Sequence, residues 1–168
     1  MSDKEDLKKA QFFYDFVSKI DPFVQQTSER LYKKVHESIA ITSTLIPITF
    51  GLGYFISEKT QYSMVFLPIA VSIMSFFIAT IQGINLLKSR WFVYVDPSIL
   101  IRDHQKESLS FIITKSASSW SDTINRNIGT INSKEKGFKR MLHFMIIGLL
   151  VLVIAFVIFV FNTFGLLT

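Results

Sequence analysis

Apolar residues near the start of the chain recur at helical spacing. Leu7, Ala10, Tyr14 and Val17 share one face, and Phe12, Phe16 and Ile20 widen it. This pattern predicts an amphipathic helix over residues 4–20. Asp21-Pro22 combines a capping residue with a proline suited to a first helical position, so it is expected to end that helix and start another. Val24, Leu31, Val35 and Ser38 continue as a seam with no breaker before the polar pattern stops. A second periodic stretch begins near Ser108. Leu109, Ile113, Ala117, Trp120, Ile124, Ile128, Ile131 and Phe138 recur every three, four or seven residues and lead toward the last apolar run. Gly129 and Gly137 weaken this stretch, so a broken and a continuous helix are both open, and Phe111-Ile112-Ile113-Thr114 also reads as a possible strand.

Between these stretches the alternation disappears. Residues 38–57, 60–87 and 141–168 contain no Asp, Glu, Lys or Arg, in blocks of 20, 28 and 28 residues. Crossing the hydrocarbon core takes about 20 apolar residues. The expected architecture is therefore an all-α integral membrane protein with three transmembrane helices. It divides into N-terminal cytoplasmic helices (1–37), a transmembrane hairpin (38–87, with spans 38–56 and 62–87), a central cytoplasmic helical segment (88–140) and a third span with a short outer tail (141–168). Prolines fall in two adjacent spans, Pro47 in the first and Pro68 in the second, where each would be expected to bend its helix.

Composition agrees with this division. Of 168 residues, 49% are apolar and 18% are charged, below the roughly 25% charged residues of ordinary soluble domains. The 18 cations and 13 carboxylates give a net charge of +5. Their placement carries more information than their sum. Residues 1–36 hold seven cations and residues 88–140 hold ten, leaving only Lys59 in the turn between the first two spans. Three spans thus put 17 of 18 cations on one side, which the positive-inside rule assigns to the cytoplasm of a cell inner membrane. The C-terminus then faces out. Tyr54 and Tyr62 flank the outer turn, and Lys88, Arg90, Trp91, Phe92 and Tyr94 cluster at the cytoplasmic exit of the second span. The charged first 37 residues offer no apolar core for a cleavable leader.

Chemistry is sparse. There is no cysteine, and His36, His104 and His143 lack metal-ligand spacing. Asp103-His104 stands as a lone polar pair, and no phosphate loop or nucleophile elbow is present. No enzyme activity, metal or cofactor is expected. The spans hold no ionisable carboxylate or amine of the kind ion pumps place in their bundles. They hold uncharged polar residues instead: Thr42 and Thr49, one heptad apart in the first span, and Ser72, Ser75, Gln82 and Asn85 in the second. These six either join helices by hydrogen bonds or line a pore between several copies, since three spans cannot enclose a conduit alone. Ser75, Ala79 and Gly83 form a small-residue stripe suited to close helix packing.

Among the cations, Lys88, Arg90, Lys139 and Arg140 lie where lipid headgroups are expected. Arg30, Lys33 and Lys34 lie within about one turn of each other near the membrane mouth of the first helix, with Tyr32 between them. Replicated around a symmetry axis they would attract a polyanion such as an oligonucleotide, with Tyr32 able to stack on a base.

The order of parts is a short cytoplasmic helical arm, a two-span hairpin with the exit Lys88–Tyr94 followed by Asp96-Pro97, and a basic segment whose Asn132–Arg140 run enters a last span. It resembles the small membrane effectors encoded beside nucleotidyltransferases in prokaryotic anti-phage defence, of the Hailong and SLATT types. That resemblance implies a tetrameric, channel-like assembly. It further implies a nucleic-acid or nucleotide ligand bound at the cytoplasmic N-terminal helices, a partner nucleotidyltransferase, and growth arrest through membrane depolarisation. The contrasting expectation is a non-conducting membrane anchor or assembly subunit that recruits a cytoplasmic partner.

Overall fold

The computed structural model describes residues 2–59, 65–88 and 107–163. Three helices account for almost all of them: α1 (Ser2–Lys59), α2 (Phe66–Lys88) and α3 (Leu109–Thr163). Among the described residues there is no strand, and residues 111–114 are helical. All three helices are long and apolar enough to cross a membrane. The Asp96-Pro97 cap, the Asp103-His104 pair, Tyr62 and the aromatic exit beyond Lys88 lie outside the described residues.

One expectation about a break is corrected, and one left open is decided. Asp21-Pro22 does not end a helix, because α1 runs through it as well as through Pro47. An interior proline costs about 3 kcal/mol by removing one backbone bond and crowding the preceding turn. Val17, Val24, Ser28 and Leu31 are buried on both sides of Pro22, so packing continues across the defect and outweighs it. Asp21 acts within the helix instead, accepting a hydrogen bond from Gln25 Nε2 at 3.0 Å. Pro68 is the third residue of α2, where the missing N–H had no intrahelical partner, so no backbone bond is lost there. The stretch from Ser108 onward is continuous through Gly129 and Gly137. Ser108 caps it: its carbonyl accepts from Ile112 N at 3.1 Å and its Oγ from Phe111 N at 3.4 Å.

The chain forms two compact units. The first combines Met1–Leu31 with Arg90–Ser133. Its core is built from Ala10, Val17, Val24, Ser28 and Leu31 of α1 and Ala117, Ile124, Asn127 and Ile131 of α3. Tyr14, which is exposed, and the half-buried Trp120 meet edge to face beside this core, with ring centroids 5.5 Å apart.

The second unit combines Tyr32–Ser89 with Lys134–Thr168. Here α2 buries Val65, Ile69, Ser72, Phe76, Ala79 and Gly83, counting the residue just before its start, in steps of four and three. In α1, Val35, Thr42, Thr49 and Ile56 are buried at intervals of seven, as are Lys134, Met141, Gly148 and Ala155 in α3. A repeat of seven residues is the signature of helices that pack side by side with a slight left-handed twist. Close approach is possible because the seam is lined by small residues. A Cβ on Gly148 would lie 2.7 Å from Phe76 Cε1, and one on Gly83 would lie 2.5 Å from Ile39 Cγ1. At one end, Ile56, Val65, Ile69 and Ala155 form an apolar cluster.

Candidate functional site

Most of the polar residues singled out in the spans face the interior of the second unit. Thr42 is fully buried, and its Oγ1 lies 3.0 Å from the carbonyls of both Ser38 and Ile39. Thr80, a further hydroxyl of the second span, brings its oxygen to 3.0 Å from Thr42 Oγ1 and 2.9 Å from the Phe76 carbonyl. Thr49 is buried and donates to the Leu45 carbonyl at 2.7 Å. Ser75 is buried and donates to the Val71 carbonyl at 2.8 Å. Ser72 makes the long-range bond of the set, donating to the Gly148 carbonyl at 2.7 Å and so joining α2 to α3. Ser75, Ala79 and Gly83 are all buried, with Gly83 against Ile39 and Met141.

The other two differ. Gln82 is half-buried, and its Oε1 is shielded from solvent with no hydrogen-bond partner. Asn85 is exposed. A hydroxyl that bonds its own helix or a neighbouring carbonyl is satisfied in an apolar medium. Thr42, Thr49, Ser72 and Ser75 are therefore satisfied within the chain itself.

The outward faces of the three helices are unlike one another. The exposed residues of α3 include Ile146, Ile147, Leu150, Val153, Ile154 and Phe156. Those of α2 include Leu67, Val71, Met74, Phe77, Ile81 and Ile84. Side chains of this kind match acyl chains. In α1, Ile41, Ile48, Phe50, Tyr54 and Phe55 are likewise exposed, but Ala40, Ser43, Thr44, Pro47 and Gly51 are exposed among them. A Cβ on Gly51 would meet nothing within 4 Å. Ala40, Thr44, Pro47 and Gly51 follow each other in steps of four, three and four, on the side of the helix away from Thr42 and Thr49. Lys33 and Glu37 continue the same register and pair with each other at 3.9 Å. The spacing was present in the sequence. It goes unnoticed there because Ser38, Thr42 and Thr49 show the same periodicity on the opposite face, and only burial tells the two apart.

The proposed ligand residues are exposed. Lys33, Lys34 and Tyr32 belong to the second unit, and the Tyr32 ring lies 5.8 Å from His36 in a tilted contact. Arg30, in the first unit, is exposed as well. No group of three metal-ligating side chains occurs among the described residues.

Lys134 was not anticipated. It is buried, and its Nζ donates to the Leu86 carbonyl at 3.1 Å. Burial lowers its pKa from 10.5 to about 8. Leu86 lies within the last four residues of α2, at the carbonyl end of the helix. The lysine thus satisfies a helix end, where a cation is also favoured by the helix dipole.

Compared with known protein families, characterised proteins and solved structures, the chain matches none.

Proposed function

We propose that this chain is the protomer of a homo-oligomeric, channel-like membrane effector whose conduit runs along the outward face of α1. The observation that carries this reading is a strip of small and hydroxylated residues on α1, Ala40, Ser43, Thr44, Pro47 and Gly51, running among the exposed Ile41, Ile48 and Phe50, whereas the outward faces of α2 and α3 are mostly large aliphatic and aromatic. Small and hydroxylated residues gain little from lipid, and they let neighbouring backbones approach or water enter. A closed ring of copies, four by the resemblance, would put this face on its axis. The charge bias supports an inner-membrane ring with the N-terminus in the cytoplasm. Lys33 and Glu37 then stand at the cytoplasmic mouth of the conduit. Lys33, Lys34 and Tyr32, with Arg30 shortly before them in the chain, are the residues offered to an oligonucleotide that would control opening. The role in anti-phage defence and the partner nucleotidyltransferase rest on the resemblance alone.

The test is ion flux from vesicles containing the purified chain. The conduit reading expects flux, and it expects Thr44→Leu with Gly51→Leu to cut that flux by about tenfold or more. Tight vesicles around a wild-type oligomer would refute it. The second reading, a non-conducting anchor, is favoured by the four polar side chains consumed within the bundle, and that same result would support it.

A further inference from the structure

We propose that Phe12, Phe16 and Phe23 of the first unit form a contact ridge that packs against the same ridge of a second copy of this chain, the two α1 segments running parallel. This rests on the homo-oligomeric part of the reading above and is independent of conduction. The three rings are 74%, 54% and 68% exposed. With Lys19 they follow in steps of four, three and four. The intrachain seam of the same helix is Ala10, Val17 and Val24, which are 5%, 2% and 4% exposed. Residues 12, 16, 19 and 23 lie about a third of a turn away from it, so Phe12 and Phe16 stand apart from the buried face that their spacing suggested they widen. This segment therefore carries two helical seams, one filled by α3 and one open.

Lipid does not account for the open one. The ridge lies in the charged stretch that precedes the first uncharged block, with Lys8, Lys9, Asp15 and Lys19 around it. A phenylalanine buries about 150–250 Å² in a contact, so three largely exposed rings make a patch of roughly 400 Å². Patches of that size outside a membrane mark contact surfaces.

The size also selects the occupant. Two such ridges would bury about 800 Å² together, below the ~1,200–2,000 Å² of an interface that holds two free proteins. A contact this small persists between partners already held side by side, where effective concentration supplies the remainder. A second copy anchored in the same bilayer meets that condition and presents the same helix in the same direction. The seven-residue spacing calls for a helix in the partner. Lys19 is the one charged position of the ridge, where a lysine beside its own copy fixes the register at a cost in stability.

The full chain contains no cysteine, so single-cysteine variants report without background. In vesicles under mild oxidation, Phe12→Cys and Phe16→Cys are expected to give disulfide-linked dimers. Gln11→Cys, exposed but off the ridge, should react about tenfold more slowly. Equal rates at all three sites, or no dimer at positions 12 and 16, overturn the proposal. Phe16→Ser with Phe23→Ser should slow cross-linking of Phe12→Cys about tenfold at unchanged helicity, and an unchanged rate overturns it. In a Trp91→Phe, Trp120→Phe background, quenching of Phe16→Trp fluorescence by brominated lipid would assign the ridge to the bilayer surface instead. Dimers at positions 12 and 16 in vesicles that remain tight to ions retain this contact and refute the conduit alone.

Discussion

Lys134 Nζ donates to the carbonyl of Leu86 at 3.1 Å, tying the end of α2 to α3. The folded-state pKa of this lysine, about 8, lies below its ordinary 10.5. Between those values the unfolded chain binds more protons than the folded one, so stability rises with pH through that window and is flat below it for this group. Thermal melts in detergent should show an upward drift of Tm between pH 8 and 10.5 that Lys134→Met abolishes. The hydrogen bond itself survives titration, because a neutral amine still donates.

Ser72 and Gly148 make a contrasting pair of substitutions. Ser72→Ala removes one hydroxyl from a helix contact, and such bonds contribute about 1 kcal/mol or less within a membrane. Gly148→Leu places side-chain atoms where Phe76 already lies, 2.7 Å from the Cβ position. Phe76 is fully buried and has nowhere to retreat, so overpacking should cost about 1–3 kcal/mol or more. Denaturation in mixed micelles should rank the variants in that order.

Thr42 and Thr44 are two residues apart and face opposite ways. Thr42→Val loses a buried hydroxyl that meets Thr80, and is expected to lower stability by about 1 kcal/mol with little effect on any flux. Thr44→Leu enlarges an exposed face and is expected to leave stability nearly unchanged while blocking flux. Flux measurements beside melts would reveal a reversed pattern, which would place the conduit inside the protomer.

Tyr14→Ala should loosen the first unit. Edge-to-face pairs contribute about 0.5–1.5 kcal/mol beyond the area they bury. With Trp91→Phe as background, the remaining Trp120 emission should shift to longer wavelength as its neighbour is removed.

The membrane character was legible before any coordinates because it depends on composition over a window. A charge within the hydrocarbon costs several kcal/mol, so three uncharged blocks announce themselves. Seams such as Val24, Leu31, Val35 and Ser38 were legible as well, since periodicity along one helix is a local property. Helix ends were read less well. Asp21-Pro22 carries strong local signals for a break, yet burial of Val17 and Val24 on either side holds the helix through it.

What the sequence by itself determined is the partition into membrane and charged segments and the helical class, because both follow from short-range solvation and spacing. The tertiary structure alone decided which face of each helix is used. Thr42 and Thr44 are chemically alike, and only packing against Thr80 and α2 turns one inward and leaves the other outward. Lys134 reads as one more cation in a basic run until the end of α2 is brought to it. Contacts such as that of Ser72 with Gly148 join residues 76 positions apart, and no periodicity within a single helix encodes which distant carbonyl a hydroxyl will meet.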